Sequence, residues 1–311
     1  MSETFYHNLP NGVQIVHRKT HSPVVYVGLM IGAGTRHEQA NENGMAHYIE
    51  HCVFKGTAHY TARQIINHIE GIGGEINAYT TKEETTFYAA TLSNHFRTTL
   101  HLLADMVLRP TFNKKETDKE VAVILDEIES YNDSPSELIY DDFENMIFEG
   151  SSLAMPILGT KKTLKRIAKS PAYPLTWMKK HYRPERIVLF VQGNVSTKQV
   201  ISAAERELNA INPQTIEEAP CTPFTGGNTN GFLRTYRRHT HQTHIMLGAH
   251  SYPIGHKNQL TMYLLNNILG GGSMSSRLYL SLREKHGLVY NIDSQAVPLS
   301  DTGYWNIYLA C

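Results

Sequence analysis

Residues 24–32 read V-V-Y-V-G-L-M-I-G, a run apolar enough to lie inside a β-sheet. The stretch before it, residues 5–19, places Pro10-Asn11-Gly12 between F-Y-H-N-L and V-Q-I-V-H-R. A turn of this composition between two such segments predicts a β-hairpin. The first elements of the chain are therefore strands, and they set the sheet on which the rest is built.

After this strand, the spacing of the apolar residues changes from the alternation typical of strands to the spacing typical of helices, and later it changes back. The predicted elements are a helix after Asn43-Gly44, a helix at about 61–71, strands at 76–80 and 85–92, mostly helix at 93–169, and a strand at 186–193. Strands come first, helices next, and a strand closes the unit. This order predicts an α+β fold, a mainly antiparallel sheet with helices packed on one face.

A change of composition divides the chain. Residues 209–231 are rich in Pro, Thr, Gly and Asn, which predicts a linker between a domain at 1–208 and a second at 232–311. The second part repeats the element order of the first, so we expect a duplicated unit. Its predicted elements are a strand at 244–250, a helix at 259–269, the glycine run 270–272, a second helix, and strands at 288–292 and 304–310. Because the chain ends inside the apolar run 304–310, about 115 residues of the second copy would be absent, and we expect that copy to be truncated.

Composition excludes several classes of function. The 311 residues include 29 basic and 29 acidic side chains, so no net field favours nucleic acid or an anionic membrane. No apolar run reaches about 18 residues and no signal-peptide pattern opens the chain, so we expect neither secretion nor membrane spanning. The three cysteines form no metal or disulfide framework, which favours a cytoplasmic protein.

The helix after Gly44 carries polar side chains in an apolar setting. It reads M-A-H-Y-I-E-H-C-V-F over residues 45–54. At about 100° per residue, His47 and His51 lie about 40° apart, and Glu50 falls about 60° to the other side of His47. The three side chains therefore project in one direction from a helix that we expect to be buried.

Buried imidazoles and carboxylates need partners, because burying them without any is costly. Histidines four positions apart can both bind one zinc ion, with the glutamate beside it. The order H-x-x-E-H is the reverse of the commoner H-E-x-x-H zinc-peptidase motif. The alternative interpretation is a solvated polar face, or histidines that are satisfied by hydrogen bonds within the protein.

A third protein ligand has to come from another segment, and the acidic helix at about 115–130 supplies candidates. Glu120 and Glu127 are seven positions apart and nearly superposed at the edge of its apolar face. Such a pair suits one metal ligand and one carboxylate that orients a histidine. Asp126 and Glu129 are alternatives, which the pattern places on the solvated side.

The chain resembles the family of pitrilysin, insulin-degrading enzyme and mitochondrial processing peptidase, zinc peptidases with the inverted motif. The resemblance covers nearly the whole chain in order. The matching segments are G-M-A-H-Y-I-E-H-C-V-F-K-G-T (44–57), I-E-G-I-G-G-E-I-N-A-Y-T-T-K-E-E-T-T-F-Y (69–88), E-V-A-V-I-L-D-E-I (120–128), P-I-L-G-T (156–160), H-Y-R-P-E-R-I-V-L-F-V-Q-G-N-V (181–195) and I-L-G-G-G-S-M-S-S-R-L-Y-L-S-L-R-E-K-H-G-L-V-Y (268–290).

This resemblance implies a Zn²⁺-dependent endopeptidase that hydrolyses extended or unstructured peptides. The family's metal ligands match His47, His51 and Glu127. Its general base matches Glu50, and its supporting glutamate matches Glu120.

The resemblance also implies how a substrate is held. The family strand that pairs with the substrate matches Asn77-Ala78-Tyr79, with Asn77 placed to help the scissile carbonyl. The substrate-contacting arginine and tyrosine of the second domain match Arg283 and Tyr290. For a two-domain chain, a homodimer is the implied assembly. The rival prediction is a non-catalytic, peptide-binding or supporting subunit, although such subunits typically lose zinc ligands that this chain retains.

Overall fold

The computed structural model describes residues 4–209, 211, 223–226, 231–238 and 241–311. The chain forms two compact units, residues 1–126 with 156–219 and residues 127–155 with 220–311. The division falls inside one continuous helix, Lys114–Asn132. Most of the predicted linker at 209–231 lies outside the described residues, so the predicted domain limits stay a prediction.

The strands in chain order are β1 (Thr4–Asn8), β2 (Gln14–Lys19), β3 (Val24–Ile31), β4 (Glu75–Thr80), β5 (Thr85–Leu92), β6 (Ile187–Gly193), β7 (His244–His250), β8 (Asn291–Pro298) and β9 (Gly303–Ala310). The α-helices in the described part are α1 (Met45–Val53), α2 (Ala62–Glu70), α3 (Phe96–Leu108), α4 (Lys114–Asn132), α5 (Pro135–Ile147), α6 (Lys161–Ile167), α7 (Ala172–His181), α8 (Thr197–Leu208) and α9 (Gln259–Leu269).

The first unit contains a six-stranded sheet in the order β1-β2-β6-β3-β5-β4. All neighbours are antiparallel except β2 and β6, which are parallel. In β3 the residues Val25, Val27, Leu29 and Ile31 are buried, whereas Tyr26 between them is exposed. One face is therefore packed against helices and the other is only partly covered, as predicted for the α+β class. Strand β4 lies at one edge.

The second unit contains a three-stranded antiparallel sheet in the order β7-β9-β8. Helix α5 contributes Phe143 and Ile147 to its core, where they pack with Phe148, Leu153 and Tyr304. The tyrosine hydroxyl donates a hydrogen bond of 2.6 Å to Glu144 of the same helix. Helix α9, in contrast, has no buried residue.

The prediction of a mainly antiparallel α+β fold is confirmed, and two local predictions need correction. The strand expected at 288–292 begins only at Asn291, because Gly287 turns the chain at φ +59° and pairing with β9 starts at Asn291. The helix expected after the glycine run is a short π-type segment, Tyr279–Lys285. Among the residues described, no helix is long and apolar enough to cross a membrane.

Candidate metal centre

Helix α1 supplies the inverted motif from an apolar setting. Seven of its nine residues are buried, and apart from His47 they are the apolar residues Met45, Ala46, Tyr48, Ile49, Cys52 and Val53. The rings of His47 and His51 lie edge to face with centroids 4.6 Å apart, as expected for neighbours one turn apart on a helix. Cys52 is fully buried as a free thiol.

The two histidines meet a carboxylate of α4. One candidate ligand atom each from His47, His51 and Glu127 lies within 4.8 Å of the others. Glu127 is the first residue of the second unit. Helix α4 is continuous through it, so the preceding turns of the helix fix the position of Glu127. Glu127 is exposed, as are the alternatives Asp126 and Glu129, but those two are not part of this cluster.

Glu120 holds His51 in a defined orientation. His51 Nδ1 lies 3.2 Å from Glu120 Oε2, and since a carboxylate only accepts, Nδ1 carries the proton. The lone pair of His51 is therefore on Nε2, the nitrogen that remains for a metal. Lys55 Nζ lies 2.8 Å from the other Glu120 oxygen and fixes the carboxylate in turn.

Glu50 is held by the last residue of the edge strand. The Thr80 hydroxyl donates a hydrogen bond of 2.6 Å to Glu50 Oε2, so the carboxylate of α1 is tied to β4. Tyr182 is buried and interacts electrostatically with the Glu50 carboxylate. Burial raises the pKa of Tyr182 far above its usual range and the charge of Glu50 adds to the effect, so the phenol stays protonated.

Strand β4 presents the residues predicted to meet a substrate. It pairs with β5 on one side only and has no strand neighbour on the other side among the described residues. Asn77 is exposed, and its Oδ1 accepts a hydrogen bond of 2.8 Å from the Ala78 amide. The side-chain amide nitrogen of Asn77 is therefore the donor that it can offer.

The residues predicted in the second unit are exposed. The Arg283 guanidinium lies 4.8 Å from the ring centre of Tyr279 and also donates to its hydroxyl. Tyr290 is 76% exposed, and its backbone amide donates to Ala310. Neither belongs to the metal-ligand cluster, so their substrate role stays a prediction.

Sequence reasoning missed the supporting residues Thr80 and Lys55. The two carboxylates that they fix were both singled out from the sequence. The signal for Thr80 was its place at the end of the matched strand. It is three positions after Asn77, so the two side chains point to opposite faces of that strand. Lys55 follows His51 by four positions, which places it on the same helical side.

Comparison with known proteins now decides the family. The profile for Insulinase (Peptidase family M16) matches residues 14–161, and that for the Peptidase M16 inactive domain matches residues 175–311. An uncharacterized zinc protease of Bacillus subtilis is 36% identical over 301 residues, which cover 96% of this chain and 71% of the relative. One of Rickettsia felis is 35% identical over 310 residues, 99% of this chain and 74% of the relative.

This chain belongs to peptidase family M16. Solved structures share its fold. A protease from Helicobacter pylori superposes with a TM-score of 0.93 at 21% identity, covering 99% of this chain and 75% of its own. An M16 inactive domain from Pseudomonas fluorescens gives a TM-score of 0.85 at 20% identity, covering 99% and 74%. The predicted resemblance to M16 peptidases is thereby confirmed.

Proposed function

We propose that this M16 protein is a zinc-dependent endopeptidase that hydrolyses extended or unstructured peptides, with Glu50 as general base. The observation that carries the proposal is the convergence of ligand atoms from His47, His51 and Glu127, of which the two histidines lie on the helix that also carries Glu50. Zinc binding itself is part of the proposal, and the zinc proteases among the relatives support it.

The donor set fits zinc. Two imidazoles and one carboxylate are the ligand set of a catalytic zinc site, which keeps a fourth position open. Zinc bonds are about 2.0–2.2 Å long, so atoms within 4.8 Å of one another reach one ion after small side-chain rotations. Bound there, zinc supplies Lewis-acid chemistry and lowers the pKa of water towards about 7.

The side chains of the protein perform the proton transfers. Glu50 accepts the proton that the attacking water loses and returns it to the leaving amine. The Thr80 hydroxyl keeps the Glu50 carboxylate aimed during both transfers, since its hydrogen bond of 2.6 Å restricts rotation. When His51 binds a cation, its imidazole becomes more positive, and the Glu120 carboxylate stabilises that charge.

The open edge of β4 suits an extended peptide. A substrate strand added there forms main-chain hydrogen bonds, which accept many sequences. Asn77 then donates to the scissile carbonyl, and Ala78 leaves room for the substrate backbone. We further propose that residues 1–208 act as the zinc-binding domain, and that residues 232–311 contact the substrate through Arg283 and Tyr290.

Hydrolysis by wild type and Glu50→Gln distinguishes this proposal from a non-catalytic subunit. The second profile carries the name inactive domain, so the non-catalytic subunit is the alternative that the experiment has to test. We expect wild type to bind one zinc ion and to cleave an unstructured peptide. Glu50→Gln should keep the zinc but lose about 10²- to 10⁴-fold in kcat, the usual contribution of a general base.

Two outcomes contradict the proposal. The first is a zinc-loaded wild-type protein that cleaves no unstructured peptide. The second is a Glu50→Gln variant that cleaves as fast as wild type. Metal content, measured on the same samples by atomic absorption, shows whether a loss of activity comes from the base or from the metal.

The setting proposed for this activity is the cytoplasm, with the chain as a homodimer. Cys52 and Cys311 are free thiols among the described residues, which is compatible with a reducing compartment. Light scattering on the purified protein tests the dimer.

A further inference from the structure

Helix α1 begins without a cap of its own. Its N-cap is Gly44, at φ 90°, with no side-chain hydrogen bond to the first turn. The first amide groups of any helix need acceptors, and a buried helix end cannot take them from water. The acceptor comes instead from Glu38, eight positions before Ala46.

Glu38 uses both carboxyl oxygens. Oε1 accepts from the Ala46 amide at 2.8 Å, and Oε2 accepts from the Gly44 amide at 2.8 Å. Asn43 Nδ2 donates to the same Oε2 at 3.2 Å. The glutamate is only 5% exposed, so these contacts take the place of water.

A second contact ties this end of α1 to the segment P-I-L-G. Asn43 Nδ2 also donates to the Pro156 carbonyl at 2.8 Å. A Cβ on Gly159, at φ +73°, would lie 2.6 Å from the Asn43 carbonyl oxygen and 2.7 Å from Gly44 Cα. The two backbones are therefore in direct contact, and only glycine allows it.

We call Glu38, Asn43, Gly44, Pro156 and Gly159 the α1 clasp. Its last hydrogen bond is to Ala46, the residue before His47, so the clasp fixes where α1 starts. A shift or rotation of this end would carry both histidines with it. Thr80 and Glu120 hold side chains further along the helix, but neither holds its first turn.

We propose that Glu38 is a positioning residue for the metal centre: its two acceptor oxygens hold the first turn of α1, and thereby His47, in place for metal binding. This inference rests on the proposed function, because it assumes that the histidines bind zinc.

Glutamine is the informative substitution. Burial raises the pKa of Glu38 to about 8, whereas the three N–H donors that face its two oxygens favour the ionised form, in which both oxygens accept. Glutamine has one acceptor oxygen, and its NH₂ group would face a backbone N–H. Glu38→Gln therefore keeps the size of the side chain and loses one of the two backbone contacts.

Glu207 provides the matched control. It is also buried, with 6% exposure, and accepts from His101 Nδ1 at 2.8 Å and Arg206 Nε at 2.6 Å. Glu207→Gln damages a comparable buried carboxyl contact on α8. A general loss of stability would appear in both variants, whereas a positioning effect appears only in Glu38→Gln.

The experiment measures zinc affinity on the full chain by competition with a chelating dye, and amide hydrogen exchange of α1 on the metal-free protein. We expect Glu38→Gln to lose about tenfold or more in affinity, in the range for groups that orient metal ligands. Its Gly44 and Ala46 amides should exchange faster. Glu207→Gln should match wild type in both measurements.

Gly159→Ala tests the clasp from the opposite side with Glu38 intact, and it should also weaken zinc binding. The proposal is overturned if Glu38→Gln and Gly159→Ala melt at lower temperature yet bind zinc like wild type. Wild type that binds no zinc overturns both this inference and the proposed function. Wild type that binds zinc but cleaves no peptide overturns the peptidase alone.

Discussion

Helix α1 of the first unit and helix α9 of the second hold the same place in the repeated element order, yet their surroundings differ. Seven of nine α1 residues are buried, whereas none of the 11 residues of α9 is. Both segments are apolar enough to predict a helix. Apolar periodicity thus predicts that each segment is a helix, but it does not predict whether other parts of the protein pack over that helix.

The same contrast separates the predicted site residues. In the first unit, Glu50 and His51 are each fixed by a hydrogen bond to a named partner, Thr80 and Glu120 respectively. In the second unit, Arg283 and Tyr290 are exposed. A catalytic group needs a fixed geometry, whereas a group that meets substrate can be ordered by the substrate itself. Substitutions at the metal cluster and the residues that hold it should therefore have the larger effects.

The largest effect is expected from Glu127→Gln. Loss of an anionic ligand should lower zinc affinity by more than about 100-fold, beyond the range for groups that only orient a ligand. Hydrolysis should fall with it. Dye competition and peptide cleavage measure the two effects.

Glu129→Gln, two positions along the same helix, is the control for this substitution and should change neither quantity. If Glu129→Gln loses zinc and Glu127→Gln keeps it, the cluster near α1 is not the metal site.

Glu120→Gln should have the next largest effect. The amide oxygen can still accept from His51 Nδ1, but the negative charge and the ion pair with Lys55 are lost. Zinc affinity should fall by about 10- to 100-fold. Glu116→Gln, a half-buried acid of the same helix paired with Lys119, should leave the affinity unchanged. Equal losses in both variants would mean that overall charge, and not the orientation of His51, is responsible.

Local patterns predicted the strands of the first unit and the helix that carries the metal motif. The hairpin, β3 and α1 each have their signal within a few consecutive residues. The start of β8 was predicted wrongly, because it depends on pairing with β9, which no local pattern encodes.

The candidate site divides in the same way. His47, Glu50 and His51 share one helix and were predicted together. Glu127 was one of several acids until the family resemblance selected it. Thr80 and Glu38 were missed, because their partners are 30 and 8 positions away and no helical or strand period connects them.

Arg283→Ala tests the second unit. As an exposed cation, Arg283 should contribute about 1 kcal/mol or less to substrate binding, so KM should rise by up to about fivefold. Zinc affinity should not change. Lys285→Ala, an exposed cation of the same segment, should leave KM unaltered. An Arg283→Ala variant that loses zinc would break the division of roles between the two units.

The smallest effect is expected from Leu264→Ala on α9. This side chain is 62% exposed, so its truncation should change the free energy of unfolding by about 0.5 kcal/mol or less. Ile49→Ala on α1 removes a fully buried side chain and should cost about 2–5 kcal/mol. Urea unfolding of both variants gives the comparison. A Leu264→Ala cost close to that of Ile49→Ala would mean that α9 is covered in solution, and the contrast between the two helices would then lie in their partners and not in their sequences.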